Sequence, residues 1–264
     1  MLEAFWGLNG TPFDKSIKPD QLFISKAVKE LISRLDYMKQ QRGIMLITGQ
    51  PGTGKTTVLR AFRFGLSELS YKCFYVPLAT VNVLDFYRQL NQKLGGESYH
   101  YKAQLFNSIQ LRIKELVANT KKIPVIIFDE AHLLKNENFT ELQILTNFNM
   151  DSTDPALVIL AGQPHLADRL MRPILKSFYQ RIMLKYQLLP LNKDEVQPFI
   201  EHHLKLKGCQ KSPFCDNAIE AIFKNTAGVP RLIAALAFHT MTLGMMQKTN
   251  ILTEEQVFQA AHEL

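Results

Sequence analysis

Gly49-Gln50-Pro51-Gly52-Thr53-Gly54-Lys55-Thr56 fits the phosphate-binding loop pattern G-x-x-x-x-G-K-[ST] at every fixed position. With Gly at about 7% of residues, such a match arises by chance in a chain of this size on the order of once in a hundred. The apolar run Ile44-Met45-Leu46-Ile47-Thr48 before it suits a buried parallel strand, and Thr57-Val58-Leu59-Arg60-Ala61-Phe62 behind it reads as a helix. The glycines let successive N–H groups turn inward toward phosphate oxygens, and a helix N-terminus adds its positive dipole end. In this arrangement Gly49 to Thr57 bind the nucleotide, Lys55 reaches the β- and γ-phosphates, and the Thr56 hydroxyl sits on Mg²⁺.

A second apolar run, Val125-Ile126-Ile127-Phe128, leads straight into Asp129-Glu130. Unpaired carboxylates are costly to desolvate, so two acids at the tip of a buried strand call for a cation nearby. Asp129 is the candidate metal ligand, and Glu130 the candidate group that polarises the water attacking the γ-phosphate. Asp129-Glu130-Ala131-His132 also spells a helicase tag, but tandem motor lobes need more chain than 264 residues provide.

Further strands are expected at 73–78, 157–161 and 182–188, and helices recur between them. Ser25 is a fair N-cap for the helix carrying Val28, Leu31, Ile32, Leu35 and Met38. From Leu191 the texture becomes helical only. Asn192 with Glu195 and Thr253 with Gln256 mark helix starts, and a helix opening at Asp216 is expected to stop at Gly228. The pattern predicts an α/β fold, a five-stranded parallel sheet flanked by helices with a small C-terminal helical lid. The expected division is a nucleotide-binding core over 1–190, including an aromatic N-terminal arm over 1–24, and a lid over 191–264.

Lys plus Arg number 31 against 24 Asp plus Glu, a net charge of +7 that suits a polyanionic partner. The three cysteines form no metal or redox spacing and fit a reducing cytosol. No signal peptide or membrane span is read, so a cytoplasmic protein without membrane contact is expected. Lys102, beside Tyr99 and Tyr101 in a Gly-rich loop, is the candidate DNA contact. No helix-turn-helix or zinc pattern is present to read bases, so double-stranded DNA would be bound through its phosphates without strong sequence preference. The adjacent His202 and His203 point apart on a helix and read as surface residues rather than metal ligands.

Together, the phosphate loop, Asp129-Glu130, Gln163, Arg181 before the last strand and Gly228-Val229-Pro230-Arg231 resemble an AAA+ ATPase. Phe5-Trp6-Gly7-Leu8, Pro12-Phe13, Leu22-Phe23, Ala161-Gly162-Gln163-Pro164 and Gln180-Arg181-Ile182 resemble the ExeA-like branch. That branch holds secretion ATPases and the transposition ATPases of the TnsC, TniB and, more distantly, MuB type. The resemblance implies ATP and Mg²⁺ as cofactors, Gln163 as first sensor, and Arg231 as second sensor for its own subunit's γ-phosphate. It also implies Arg181 as the finger that completes a neighbour's site in a head-to-tail ring or helical filament. ExeA-like secretion ATPases continue into a membrane segment and a peptidoglycan-binding region, whereas this chain stops just after the lid. The favoured expectation is therefore an ATP-dependent transposition regulator that assembles on duplex DNA, recruits a transposase and disassembles on hydrolysis. A target-selection protein is an optional further partner. The alternatives are a secretion-type ATPase and a DNA scaffold with little turnover.

Overall fold

The computed structural model describes residues 2–14, 17–77, 82–209 and 211–263. In chain order the elements are α1 (Leu2–Trp6), α2 (Lys26–Gln41), β1 (Gly43–Thr48), α3 (Lys55–Phe64), β2 (Tyr71–Pro77), α4 (Val83–Lys93), α5 (Lys102–Thr120) and β3 (Ile123–Asp129). There follow α6 (Asn136–Leu145), β4 (Leu157–Gly162), α7 (His165–Leu170), α8 (Lys176–Gln180) and β5 (Ile182–Gln187). The C-terminal elements are α9 (Lys193–Lys205), α10 (Asp216–Thr226), α11 (Pro230–Met246) and α12 (Glu254–His262). Leu78, expected in the second strand, lies outside the described residues. Contacts gather these elements into two compact units, one of Glu30–Gln50 and Phe62–Leu188, the other of Met1–Lys29, Pro51–Ala61 and Leu189–Leu264. The division runs through α2 and α3.

The first unit is built on a parallel sheet whose described strands run in the order β2-β3-β4-β1-β5. Burial explains the order. β1 and β4 are buried along their whole length and β3 along nearly all of it, as the continuous apolar runs of inner parallel strands require. At the edges, β2 and β5 alternate buried and accessible positions. One face carries Ile44, Leu46, Ile126, Phe128, Val158 and Leu160, which pack with Phe86, Leu90, Ile109, Phe139 and Phe178 from the helices. Burying each of these large side chains contributes about 1.5–3 kcal/mol. The alternate residues Met45, Ile47, Val125, Ile127 and Ile159 are buried too, so both faces are covered.

The second unit is helical, with a core of side chains from α9 to α12 such as Val196, Ile200, Ile222, Leu236, Met241 and Val257. Both anticipated capping boxes form, Asn192 with Glu195 and Thr253 with Gln256. Ser25 caps α2, its Oγ accepting from the Val28 N–H at 3.2 Å. The arm, grouped with the core by the sequence reading, packs on these C-terminal helices instead. Trp6 Nε1 donates to the Met241 carbonyl at 3.0 Å, and the Asn9 N–H donates to the Lys207 carbonyl at 2.6 Å. The Phe23 ring meets Phe199 edge-on, with centroids 5.5 Å apart. An aromatic residue buries 150–250 Å², and this helical core is where these side chains find cover.

His202 and His203 are not solvated surface residues. Nε2 of His202 donates to the Gln21 carbonyl at 2.7 Å, and the His203 ring lies 5.5 Å from Phe13 and 4.5 Å from Phe199. Burial first, then the charges of His202 and Lys207, pulls the His203 pKa down to about 4. The imidazole is therefore neutral near pH 7 and packs as an aromatic. Its place on α9 faces the arm, which a helical wheel of α9 alone does not reveal.

Candidate nucleotide-binding site

The phosphate loop begins where β1 ends. The Gly49 N–H donates to the Gly162 carbonyl at 3.2 Å, tying the first loop residue to the tip of β4. Gly52 (φ +83) and Gly54 (φ +97) occupy the left-handed region, and α3 starts at Lys55. Beyond its chain neighbours, no described heavy atom lies within 4 Å of where a Cβ on Gly54 would stand, so Gly54 is glycine for its positive φ rather than for lack of space. Gly52 is glycine for a second reason. A Cβ there would come within 2.8 Å of the Arg231 Cβ and 3.1 Å of the Val229 Cγ1.

That close approach comes from the start of α11. Gly228 (φ +74) admits no side chain, because a Cβ would lie 2.0 Å from the Leu191 carbonyl oxygen. Pro230 then sets the first helical residue, and the Arg231 N–H donates to the Gly52 carbonyl at 3.2 Å. Within the helical unit, the candidate second sensor is thus bonded to the phosphate loop, with its side chain exposed. Lys55 is only 6% exposed. It is the first residue of α3, where the N–H groups of the helix start can meet an anion.

In the sheet unit, the acid pair follows β3. Asp129 is 3% exposed and both of its oxygens are engaged. Oδ1 accepts from the Glu130 N–H at 2.9 Å and Oδ2 from the Tyr75 hydroxyl at 3.2 Å. Burial, followed by the negative charge and hydrogen bond of Asp129, pushes the Tyr75 pKa up to about 12, so the phenol keeps its proton as a donor. Glu130 adopts a left-handed conformation (φ +53), and its side chain is 51% exposed, with Oε2 at 3.2 Å from His132 Nδ1. Because β4 lies between β3 and β1, the half-buried Gln163 follows the strand flanked by the acid pair's strand and the phosphate-loop strand. Its carbonyl accepts from the Leu166 N–H at 3.0 Å, in the turn that leads into α7.

Two expected site residues are engaged within their own chain. Arg181 Nη1 donates to the Gln143 carbonyl at 2.7 Å, and Nη2 pairs with Asp151. Lys102 Nζ donates to Glu141 Oε1 at 2.6 Å, while the other oxygen of Glu141 accepts from the Tyr87 hydroxyl at 2.9 Å. A phosphate that meets either side chain has to displace these partners. Sequence reasoning missed Tyr75 altogether. It met His132 only as part of a helicase tag and assigned nothing to His165 or Arg169.

A family model described as "AAA domain" matches residues 38–170. The chain belongs to the AAA family. This AAA chain is 29% identical over 270 residues to the general secretion pathway protein A of Aeromonas hydrophila, covering 100% of the chain and 48% of that relative. An uncharacterized HTH-type transcriptional regulator of Methanocaldococcus jannaschii is 28% identical over 188 residues, 69% of this chain and 45% of that protein. The chain thus spans about half the length of the curated relatives it matches. Among solved structures, Drosophila ORC bound to DNA superposes with a TM-score of 0.69 at 17% identity, covering 99% of this chain and 65% of that one. The Aeropyrum pernix ORC2 protein, in its ADPNP and ADP complexes, gives 0.64 at 16% identity, covering 95% and 71%. At these identities the superpositions establish the AAA+ fold. No helix among the described residues is long and apolar enough to cross a membrane.

Proposed function

We propose that this AAA chain is a Mg²⁺-dependent ATPase whose nucleotide state controls its assembly on duplex DNA, as a regulator of DNA transposition. The observation that carries the ATPase reading is the phosphate-loop pattern realised as a turn, with Gly52 and Gly54 at positive φ and Lys55 opening α3. Lys55 holds the β- and γ-phosphates, Glu130 takes the proton of the attacking water, and Gln163 orients that water. Thr56 and Asp129 offer the hard oxygen donors that Mg²⁺ takes, and the bound metal would neutralise charge developing on the phosphates. Arg231 faces the γ-phosphate of its own subunit. Arg181 of a neighbouring subunit leaves Asp151 and Gln143 to add positive charge, which makes assembly head-to-tail.

The net charge of +7 supports duplex DNA as the surface on which subunits assemble. Lys102 is its first candidate contact and a transposase the protein that the assembly recruits. A second reading, an ATPase of a secretion or envelope-assembly system, draws on the alignment with general secretion pathway protein A over the whole chain.

Electron microscopy with duplex DNA, with and without a non-hydrolysable ATP analogue, separates the two. The DNA reading expects rings or filaments on duplex only with the analogue, and affinity that falls steeply with salt. Assembly that ignores DNA, or salt-insensitive binding, favours the secretion reading.

A further inference from the structure

Beyond the acid pair, the turn after β3 holds a second layer of side chains. His132 is only 9% exposed, and its Nδ1 stands 3.2 Å from Glu130 Oε2. Two groups on α7 hold His132 in turn. Arg169 Nη1 donates to the His132 carbonyl at 3.1 Å, and the His165 ring meets the His132 ring edge-on, with centroids 5.1 Å apart. Arg169 is itself fixed, its guanidinium 5.2 Å from the centre of the Phe139 ring. The approach is close on the β4 side as well, since a Cβ on Gly162 would lie 3.2 Å from the His132 backbone nitrogen.

This arrangement differs from an ordinary surface pair. Two exposed partners hold each other weakly, because both side chains lose rotamer freedom for a contact in water. Here one partner is nearly buried and locked from two sides, so the contact restricts Glu130 alone. Nδ1 stands at ion-pair distance from Oε2 without hydrogen-bond alignment. A carboxylate only accepts, so a bond closed across this gap takes its proton from Nδ1. The other oxygen of Glu130 remains for a water. The same α7 that grips His132 begins two residues after Gln163, whose carbonyl accepts from the Leu166 N–H.

We infer that His132 is a positioning residue for Glu130, holding Oε2 so that Oε1 takes the proton of the attacking water, and that α7 couples this hold to Gln163. The inference rests on the ATPase reading above.

The test compares kcat, KM and ATP affinity of the full chain with those of His132→Ala, His132→Gln and His132→Asn. The amide nitrogen of Asn falls near the Nδ1 position, whereas that of Gln falls near Nε2. Loss of an outer-shell partner of this kind costs roughly 10–100-fold. His132→Ala and His132→Gln are expected to lose that much kcat with KM within about twofold of wild type, and His132→Asn to recover most of it. If the alanine variant does not fold, the Asn-against-Gln difference carries the result. Unchanged kcat in the variants, a rise in kcat for His132→Ala, equal recovery by Gln and Asn, or a KM that rises in step overturns the inference alone. A wild-type chain that neither binds nor hydrolyses ATP overturns the ATPase reading and this inference with it.

Discussion

The phosphate loop and the turn after β3 serve one proposed reaction by different means. The loop works through its backbone, with two glycines in left-handed conformations, a helix starting at Lys55, and the α11 start bonded to Gly52. In the turn, side chains do the work. Tyr75 and the Glu130 amide orient Asp129, while His132 with α7 behind it faces Glu130. Backbone geometry is specified by residue types that sit together in the chain. Side-chain geometry is assembled from β2, β3 and α7, far apart in sequence. The difference predicts that ground-state binding and hydrolysis are separable in the proposed reaction.

Mutations can break the comparison on either side. The largest effect is expected from Glu130→Gln, which removes the proton acceptor and leaves the loop untouched. Turnover should drop by roughly 10²–10⁴ while ATP affinity measured by fluorescence titration holds. Normal turnover would take Glu130 out of the mechanism. Lys55→Ala breaks the other side. Loss of a charge-assisted contact to phosphate should weaken ATP binding roughly a hundredfold, and hydrolysis disappears with it. Unaltered affinity by calorimetry would show that the buried ammonium does not meet the nucleotide.

Gly52→Ala sharpens the backbone half. It forces a side chain into positive φ and against the Arg231 Cβ, 2.8 Å away. A stability loss of about 1–3 kcal/mol is expected in urea unfolding. A neutral result would mean that the loop and the α11 start separate easily. Tyr75→Phe gives the smallest effect and probes the side-chain half. It deletes one donor to Asp129 and should raise the Mg²⁺ concentration needed for half-maximal turnover about tenfold or less, since the Glu130 amide remains. A Mg²⁺ titration identical to wild type would make Tyr75 a packing residue only.

The parts legible in the sequence were those whose chemistry is local. The loop is contiguous, the inner strands β1, β3 and β4 read as apolar runs, and both capping boxes lie within one helical turn. What stayed hidden depends on partners distant in the chain. His203 reads as polar until Phe13 and Phe199 are placed around it. Lys102 and Arg181 read as available charges until Glu141, Asp151 and the Gln143 carbonyl are placed beside them. His132 supports nothing in the sequence, because Arg169 and His165 reach it only through the order of β3 and β4 in the sheet.

The seating of the arm has a consequence for biosynthesis. Trp6 and the Met241 carbonyl it bonds are 235 residues apart. At about 5–20 residues per second, a ribosome separates their emergence by roughly 10–50 s. Through that interval the sheet strands can already pair, while Trp6, Phe13 and Phe23 have nothing to pack on. A nascent chain of this protein therefore carries an uncovered aromatic segment until α9 to α11 are made. For that interval the segment is a target for a ribosome-associated chaperone.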